Sequence, residues 1–252
     1  MCEGQRCQGR VIRPLPPPYN VQNGGLSVSS KVWSVVLCLV VLDAVIALPP
    51  ALMLLLGVAK LDLQAEGVVV VPSLQGGAFS LASVLILAAL MLTGADLLRW
   101  VGGKSARRAK PTGTRCTYGV LVGIGLFMML LLASRGVVTS THILLWGFTG
   151  SVNALNKMLY ILSLVIIAPF AEESLFRGAI EEILGTTFNP IAAVFLSALT
   201  FSIAHGARSM LLFYFVAGTL FSMLSYKSRP LLPAMLAHAT FNGLTLVYVL
   251  IK

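Results

Sequence analysis

An apolar run from Met158 to Phe170 leads straight into a cluster holding Glu172, Glu173, Arg177, Glu181 and Glu182, and no other feature restricts the fold of the chain as tightly. A centrally placed Asp, Lys or Arg costs a membrane helix about 2.5 to 3.5 kcal/mol on insertion scales, so several charges together need compensation from within the protein. Helix geometry supplies part of it. Glu173 and Arg177 are spaced i, i+4 with the acid on the N-terminal side, the order in which side chains meet on one face and pair best. Glu172 is turned about 100° around the helix from Glu173, because about 3.6 residues make one turn. An ion pair therefore accounts for Glu173 and Arg177 and leaves Glu172 without an obvious partner in its own helix.

The surrounding composition makes the membrane reading general. Of 252 residues, 57% are hydrophobic and 11% charged, with a mean hydropathy of +0.90, whereas soluble domains carry about 25% charged residues. The expected fold class is all-α, a polytopic transmembrane bundle of about seven or eight helices. The formal charge of +9 lies in short clusters between apolar runs, as orientation signals do, and speaks against nucleic acid as a partner.

Residues 1–31 read as a disordered cytosolic tail, mostly polar and including the proline-rich run Pro14-Leu15-Pro16-Pro17-Pro18. The apolar run that follows is too long for a secretory signal and lacks a small-residue cleavage site, so this span is expected to stay in the mature chain. A single transmembrane domain is expected over 32–252. Its first span runs from Trp33 to Val58, kinked at Pro49 and Pro50, with Asp43 read as a bundle-facing acid. After a loop from Lys60 to Gly77, a second span runs from about Phe79 to Trp100 and carries a local pair between Asp96 and Arg99. Lys104, Arg107, Arg108, Lys110 and Arg115 then crowd one short loop, which the positive-inside rule puts in the cytoplasm together with the N-terminus. A third span follows from about Tyr118 to Ala133, and the segment from Ser134 to Lys157, with His142 and Trp146, reads as interfacial or re-entrant.

From Met158 the apolar helices succeed one another closely, at about Met158 to Leu184, Pro190 to His205, Met210 to Tyr226 and Leu231 to Ile251, separated by turn-forming residues. The remaining histidines lie here. Phe201 and His205 share one helical face, and so do His238 and Asn242. Each alone has a plain structural reading, as a histidine bonded to a backbone carbonyl or an amide linking two helices. Together with Glu172 they bring a carboxylate, two imidazoles and an amide to interior depth on three helices. Hydrolysis by water asks for such a set: a general base, a group that orients the water, and donors for a developing oxyanion.

These residues resemble the intramembrane proteases of the CAAX-processing and bacteriocin-processing (CPBP, or Abi) family. The resemblance lies in Glu172-Glu173-Ser174-Leu175-Phe176-Arg177 for Glu-Glu-x-x-x-Arg, in Phe201 to His205 for Phe-x-x-x-His, and in His238 to Asn242 for His-x-x-x-Asn. It extends over roughly Ile167 to Leu244 and includes Gly178 and the approach Leu231-Leu232-Pro233-Ala234. Each motif is short. Three of them in order on separate helices are specific.

The resemblance implies that 158–252 is a catalytic half, with Glu172 activating water, His205 orienting it, His238 and Asn242 stabilising the oxyanion, and Glu173 and Arg177 holding the helix. Members of the family are described both as metalloproteases and as metal-free glutamate proteases. In the first case Glu172, His205 and His238 would be ligands to zinc, the candidate cofactor, in a His₂Glu pattern. The implied activity is that of an intramembrane endopeptidase acting on a lipidated or apolar peptide, with a peptide or prenylated protein as partner in the lipid bilayer. Two other classes fit a buried polar network: a catalytically silent scaffold that regulates a partner protein, and a transporter, which would more naturally show an inverted repeat. Cys2, Cys7, Cys38 and Cys116 have neither zinc-ligand spacing nor a need for a disulfide.

Overall fold

The computed structural model describes the backbone of residues 76–102, 110–133, 154–205, 210–226 and 230–251, the strands 59–64 and 67–72, and single residues between 33 and 57. The expected tail 1–31, Asp43, the proline pair 49–50, loop residues 103–109 and the segment 134–153 with His142 and Trp146 lie outside the described residues. The described residues between 33 and 55 are helical, in keeping with the first expected span.

Helices form where the apolar runs lie. Helix α1 is Gly76–Gly102 and α2 is Gly113–Ala133. Helix α3 is a continuous succession of Ala154–Leu162, Ser163–Ile167, Ala168–Leu175, Phe176–Ile180 and Glu181–Thr187, of which the second and fourth pieces are wide π-turns. Pro190–Ala204 forms α4, Leu211–Ser225 α5 and Leu232–Ile251 α6. Helix α2 starts before its apolar run because Thr112 accepts the Arg115 amide at 3.4 Å, a side-chain cap that carries the first turn through polar sequence. Asn189 caps α4 in the same way, taking the Ala192 amide at 2.9 Å ahead of Pro190 at the first helical position.

The architecture is the expected helical bundle with one addition. The loop expected after the first span holds an antiparallel hairpin, β1 Ala59–Gln64 against β2 Gly67–Pro72, in register from Ala59 opposite Pro72 to Gln64 opposite Gly67. The run Val68-Val69-Val70-Val71 explains it, since β-branched side chains favour the extended backbone.

Among the described residues three helices are long and apolar enough to cross a membrane, Gly113–Ala133, Lys157–Thr187 and Leu232–Ile251. Helix α3 lies among the others, contacting α1, α4 and α6. Its residues Leu175, Phe176 and Ile180 are fully buried in a core shared with Leu98 of α1, Leu126 of α2, Phe201 of α4 and Phe221 of α5. Helix α6 packs most extensively on α2. The reason is the small-residue pair Gly119 and Gly123: a Cβ at Gly119 would overlap the Pro233 carbonyl oxygen, and one at Gly123 the Ala237 carbonyl oxygen. Two backbones at this distance gain close packing where lipid supplies no hydrophobic drive between helices. Since α6 carries His238, this contact fixes the depth and rotation of one wall of the site described below. A carbonyl cannot yield as a side chain can, so Gly123→Val is expected to destabilise the protein by about 1 to 3 kcal/mol or more. Thermal unfolding in detergent should show this, with Gly125→Val, whose position is open, close to the parent.

Candidate active site

The two wide turns of α3 set the site. Proline at 169 lacks an amide and would press its ring on the carbonyl four residues back in a regular helix. The turn Ser163–Ile167 removes the conflict by shifting the ladder, with the Ala168 amide bonded to the Ser163 carbonyl. The second turn, Phe176–Ile180, ends with the Glu181 amide on the Phe176 carbonyl. Between the two lies Ala168–Leu175, with Glu172 and Glu173 both buried.

Glu173 is the hub of the charged groups. Arg177 approaches it from one turn on, Nε to Oε2 at 3.3 Å and Nη1 to Oε1 at 3.4 Å, with neither side chain exposed. The other end of the guanidinium donates to the Gly218 carbonyl of α5 at 2.9 Å. Its carbon lies 4.4 Å from the Phe201 ring centre, a cation–π contact in dry surroundings. From α6, His238 brings Nδ1 to 3.0 Å from Glu173 Oε1. A buried carboxylate thus meets a cation and a donor, which is what makes its burial tolerable.

Glu172 faces the other way. Its Oε2 is buried without a hydrogen bond and lies 3.9 Å from His205 Nε2 and 3.8 Å from His238 Nε2. His238 therefore spans the two acids, one ring nitrogen toward each. The outer nitrogen of each ring has an oxygen partner that only accepts: Glu173 Oε1 for His238, and for His205 the Phe201 carbonyl at 2.9 Å. Both Nδ1 atoms must then carry a proton, so in the neutral tautomers both Nε2 atoms present lone pairs toward Glu172. Three acceptors meet around one space, an arrangement that suits a donor of protons or a cation.

Aromatic rings hold the imidazoles in place. His205, at the C-terminal end of α4, stacks on Tyr214 of α5 with centroids 4.2 Å apart and 27° between planes. His238 stacks on Phe221 at 5.0 Å and 17°. Ser202 donates to the Leu211 carbonyl and closes the end of α4 onto the start of α5. The His205 side chain keeps 24% of its surface exposed against 5% for His238, so the site opens on the His205 side.

The structure thus brings Glu172, His205 and His238 together, with Glu173 and Arg177 behind them. Asn242 lies one turn beyond His238 on α6 and is engaged with the backbone of α3. Its amide nitrogen donates to the Leu164 carbonyl at 3.0 Å, within the first wide turn of α3. Sequence reasoning did not single out Tyr214, Phe221 or the Gly218 carbonyl, which lie on α5 and bear no motif; an aromatic in an apolar helix has no distinguishing signal. It read Arg99 as the local partner of Asp96, and that pair is present at 3.0 Å, but Arg99 also donates to the Ser174 and Gly178 carbonyls of α3.

Replacing Arg177 with Met would leave the Glu173 carboxylate buried with His238 alone. Breaking a buried pair from one side costs about 3 to 5 kcal/mol, so Arg177→Met should unfold at markedly lower temperature, and the double variant Glu173→Leu/Arg177→Met should recover part of that loss.

No curated protein and no solved structure matches this chain. Residues 154–244 match the family model described as type II CAAX prenyl endopeptidase Rce1-like. That stretch, about a third of the chain, contains every residue of the three motifs and all the side chains that meet around Glu172, and over it the chain is similar to the CAAX-protease family.

Proposed function

We propose that the protein is an intramembrane endopeptidase that hydrolyses a peptide bond of an apolar or lipidated peptide with water activated by Glu172. The observation that carries this reading is the position of Glu172 Oε2, buried, without a hydrogen bond, and 3.8 and 3.9 Å from two imidazole nitrogens. Those separations are too long for direct hydrogen bonds and suit a water molecule shared among the three groups. The multi-pass membrane setting follows from the apolar helices and the family. The basic residues after α1 favour a cytoplasmic N-terminus.

The chemistry follows from the atoms present. Glu172 takes a proton from water as the water oxygen attacks the scissile carbonyl carbon, and His205, fixed by the Phe201 carbonyl and Tyr214, orients that water. Negative charge then develops on the former carbonyl oxygen. His238, whose ring is held through Nδ1 by Glu173 with Nε2 facing this space, can donate to it from Nε2 when that atom carries a proton. Asn242 has two amide hydrogens, one of them committed to Leu164, and the second is the one available to the oxyanion. Collapse of the intermediate breaks the C–N bond, and the departing amine takes the proton that Glu172 received.

A tetrahedral zinc held by Glu172, His205 and His238 would set its ligand atoms about 3.3 Å from one another. The observed 3.8 and 3.9 Å are wider, and no His, Cys, Asp or Glu cluster among the described residues has metal-holding geometry. The arrangement as it stands does not fit zinc, and no step of the mechanism passes through a metal.

Purified protein in detergent should cleave a prenylated or apolar peptide. Glu172→Gln should lower kcat by about 10²- to 10⁴-fold, the range for loss of a general base, with unchanged thermal unfolding. Full cleavage by Glu172→Gln would sink the mechanism and favour a scaffold role. Chelator treatment is expected to leave activity intact, whereas stoichiometric zinc, with loss of cleavage on chelation and recovery on zinc addition, would make the metal, and not Glu172, the group that activates water.

A further inference from the structure

Arg99 lies on α1, outside the stretch 154–244 that the family model covers, yet it reaches into the helix that carries the site. Its Nε donates to the Gly178 carbonyl at 3.3 Å and its Nη2 to the Ser174 carbonyl at 3.2 Å, while Nη1 holds Asp96 of its own helix at 3.0 Å. Each of its three nitrogens is therefore committed, two of them to backbone oxygens one turn apart on α3. One of those oxygens precedes the wide turn Phe176–Ile180 and the other lies within it. A π-turn shifts the ladder by one residue and loosens carbonyls around it from their usual amide partners, and away from water such carbonyls require other donors. On the opposite side of the same turn, Ser197 of α4 donates to the Phe176 carbonyl at 2.9 Å. Carbonyls 174, 176 and 178 are thus taken by side chains from two flanking helices, that of Phe176 in addition to its bond from the Glu181 amide.

Gly178 belongs to this arrangement. A Cβ there would lie 2.8 Å from Arg99 Nη2 and 3.3 Å from Leu231 Cδ1. The guanidinium can sit on the backbone only because position 178 has no side chain.

We infer that Arg99 is a positioning residue for the active site: it clamps the wide turn of α3 and so fixes the rotation at which Arg177 meets Glu173. Removing the extra residue of a π-turn turns everything beyond it by about 100° around the helix axis. Arg177 lies within the turn, and its hold on Glu173 and on the Gly218 carbonyl depends on the present rotation. Glu173 in turn holds His238, and His238 faces Glu172. The clamp thus acts on the reacting groups through a chain of named contacts, and a helix from the N-terminal part of the protein completes a site built in the C-terminal part. The inference rests on the proposed function only for its kinetic readout.

The test uses the full chain in detergent and two independent measurements. Amide hydrogen exchange followed by mass spectrometry should show Arg99→Ala exchanging at least about tenfold faster over 176–182, with α6 unchanged. Peptide cleavage by Arg99→Ala should show kcat lowered by about ten- to a hundredfold, the scale of a small misplacement of reacting groups, with KM moving less than about twofold. Arg99→Lys, which keeps the charge and one donor to α3, should recover part of the loss. Gly178→Ala should reproduce the defect in the parent and add little in the Arg99→Ala background, because both remove the same contact. Unchanged exchange over 176–182, or exchange raised evenly over every helix, would overturn the clamp. Should Arg99→Ala fail to fold, Arg99→Gln replaces it with the same expectations. If the parent cleaves no peptide, the proposed function fails while the exchange measurement still decides the role of Arg99.

Discussion

Everything at the centre of this protein depends on the burial of one carboxylate. Glu173 has no exposed surface, and a charge so placed persists only if it is paired and hydrogen-bonded. Arg177 supplies the countercharge, and the rest of that guanidinium is taken up by the Gly218 carbonyl and the ring of Phe201. His238 supplies the further donor. Helices α3, α4, α5 and α6 are therefore tied at one point by a polar contact that none of them could make alone. In lipid, where apolar surface gives helices little reason to prefer one neighbour over another, such a contact can specify the arrangement of the bundle.

The second carboxylate shows what that organisation provides. Glu172 follows from the same helix turn but faces two imidazoles whose outer nitrogens are already engaged, one by Glu173 and one by a backbone carbonyl. Adjacent acids in the sequence thus hold different places: one is neutralised and rigid, the other left without a hydrogen bond beside two ring nitrogens. His238 belongs to both. A change at Glu173 would be felt at Glu172 through the orientation of that ring, as an outer partner orients a histidine in other sites.

Much of this was legible in the sequence, and the unread part has identifiable causes. The apolar runs placed α3 through α6 within a few residues, because long apolar stretches bounded by turn-forming residues have few alternatives in a membrane protein. The spacing of Glu173 and Arg177 announced their pair, since i, i+4 neighbours meet in almost any helix. The convergence of Glu172, His205 and His238 came from the motifs taken jointly, as no single spacing encodes contacts between helices. The wide turns of α3 were not legible, although Pro169 hinted at the first, because one extra residue in an apolar helix changes no periodicity that a short window can resolve. The bond of Asn242 to Leu164 depends on that unread turn. The hairpin 59–72 lies where the charge and turn pattern predicts a loop, and Val68 to Val71 carry its signal.

Helices α4 and α5, which carry His205, Tyr214 and Phe221, are 15 residues each. At about 1.5 Å per residue each is close to 22 Å long, against about 30 Å of hydrocarbon in an ordinary bilayer. Lipid beside these two helices must either thin to match them or leave their ends within its apolar depth, a mismatch that long neighbours such as α3 and α6 do not share. Local thinning there would draw headgroups and solvent toward His205.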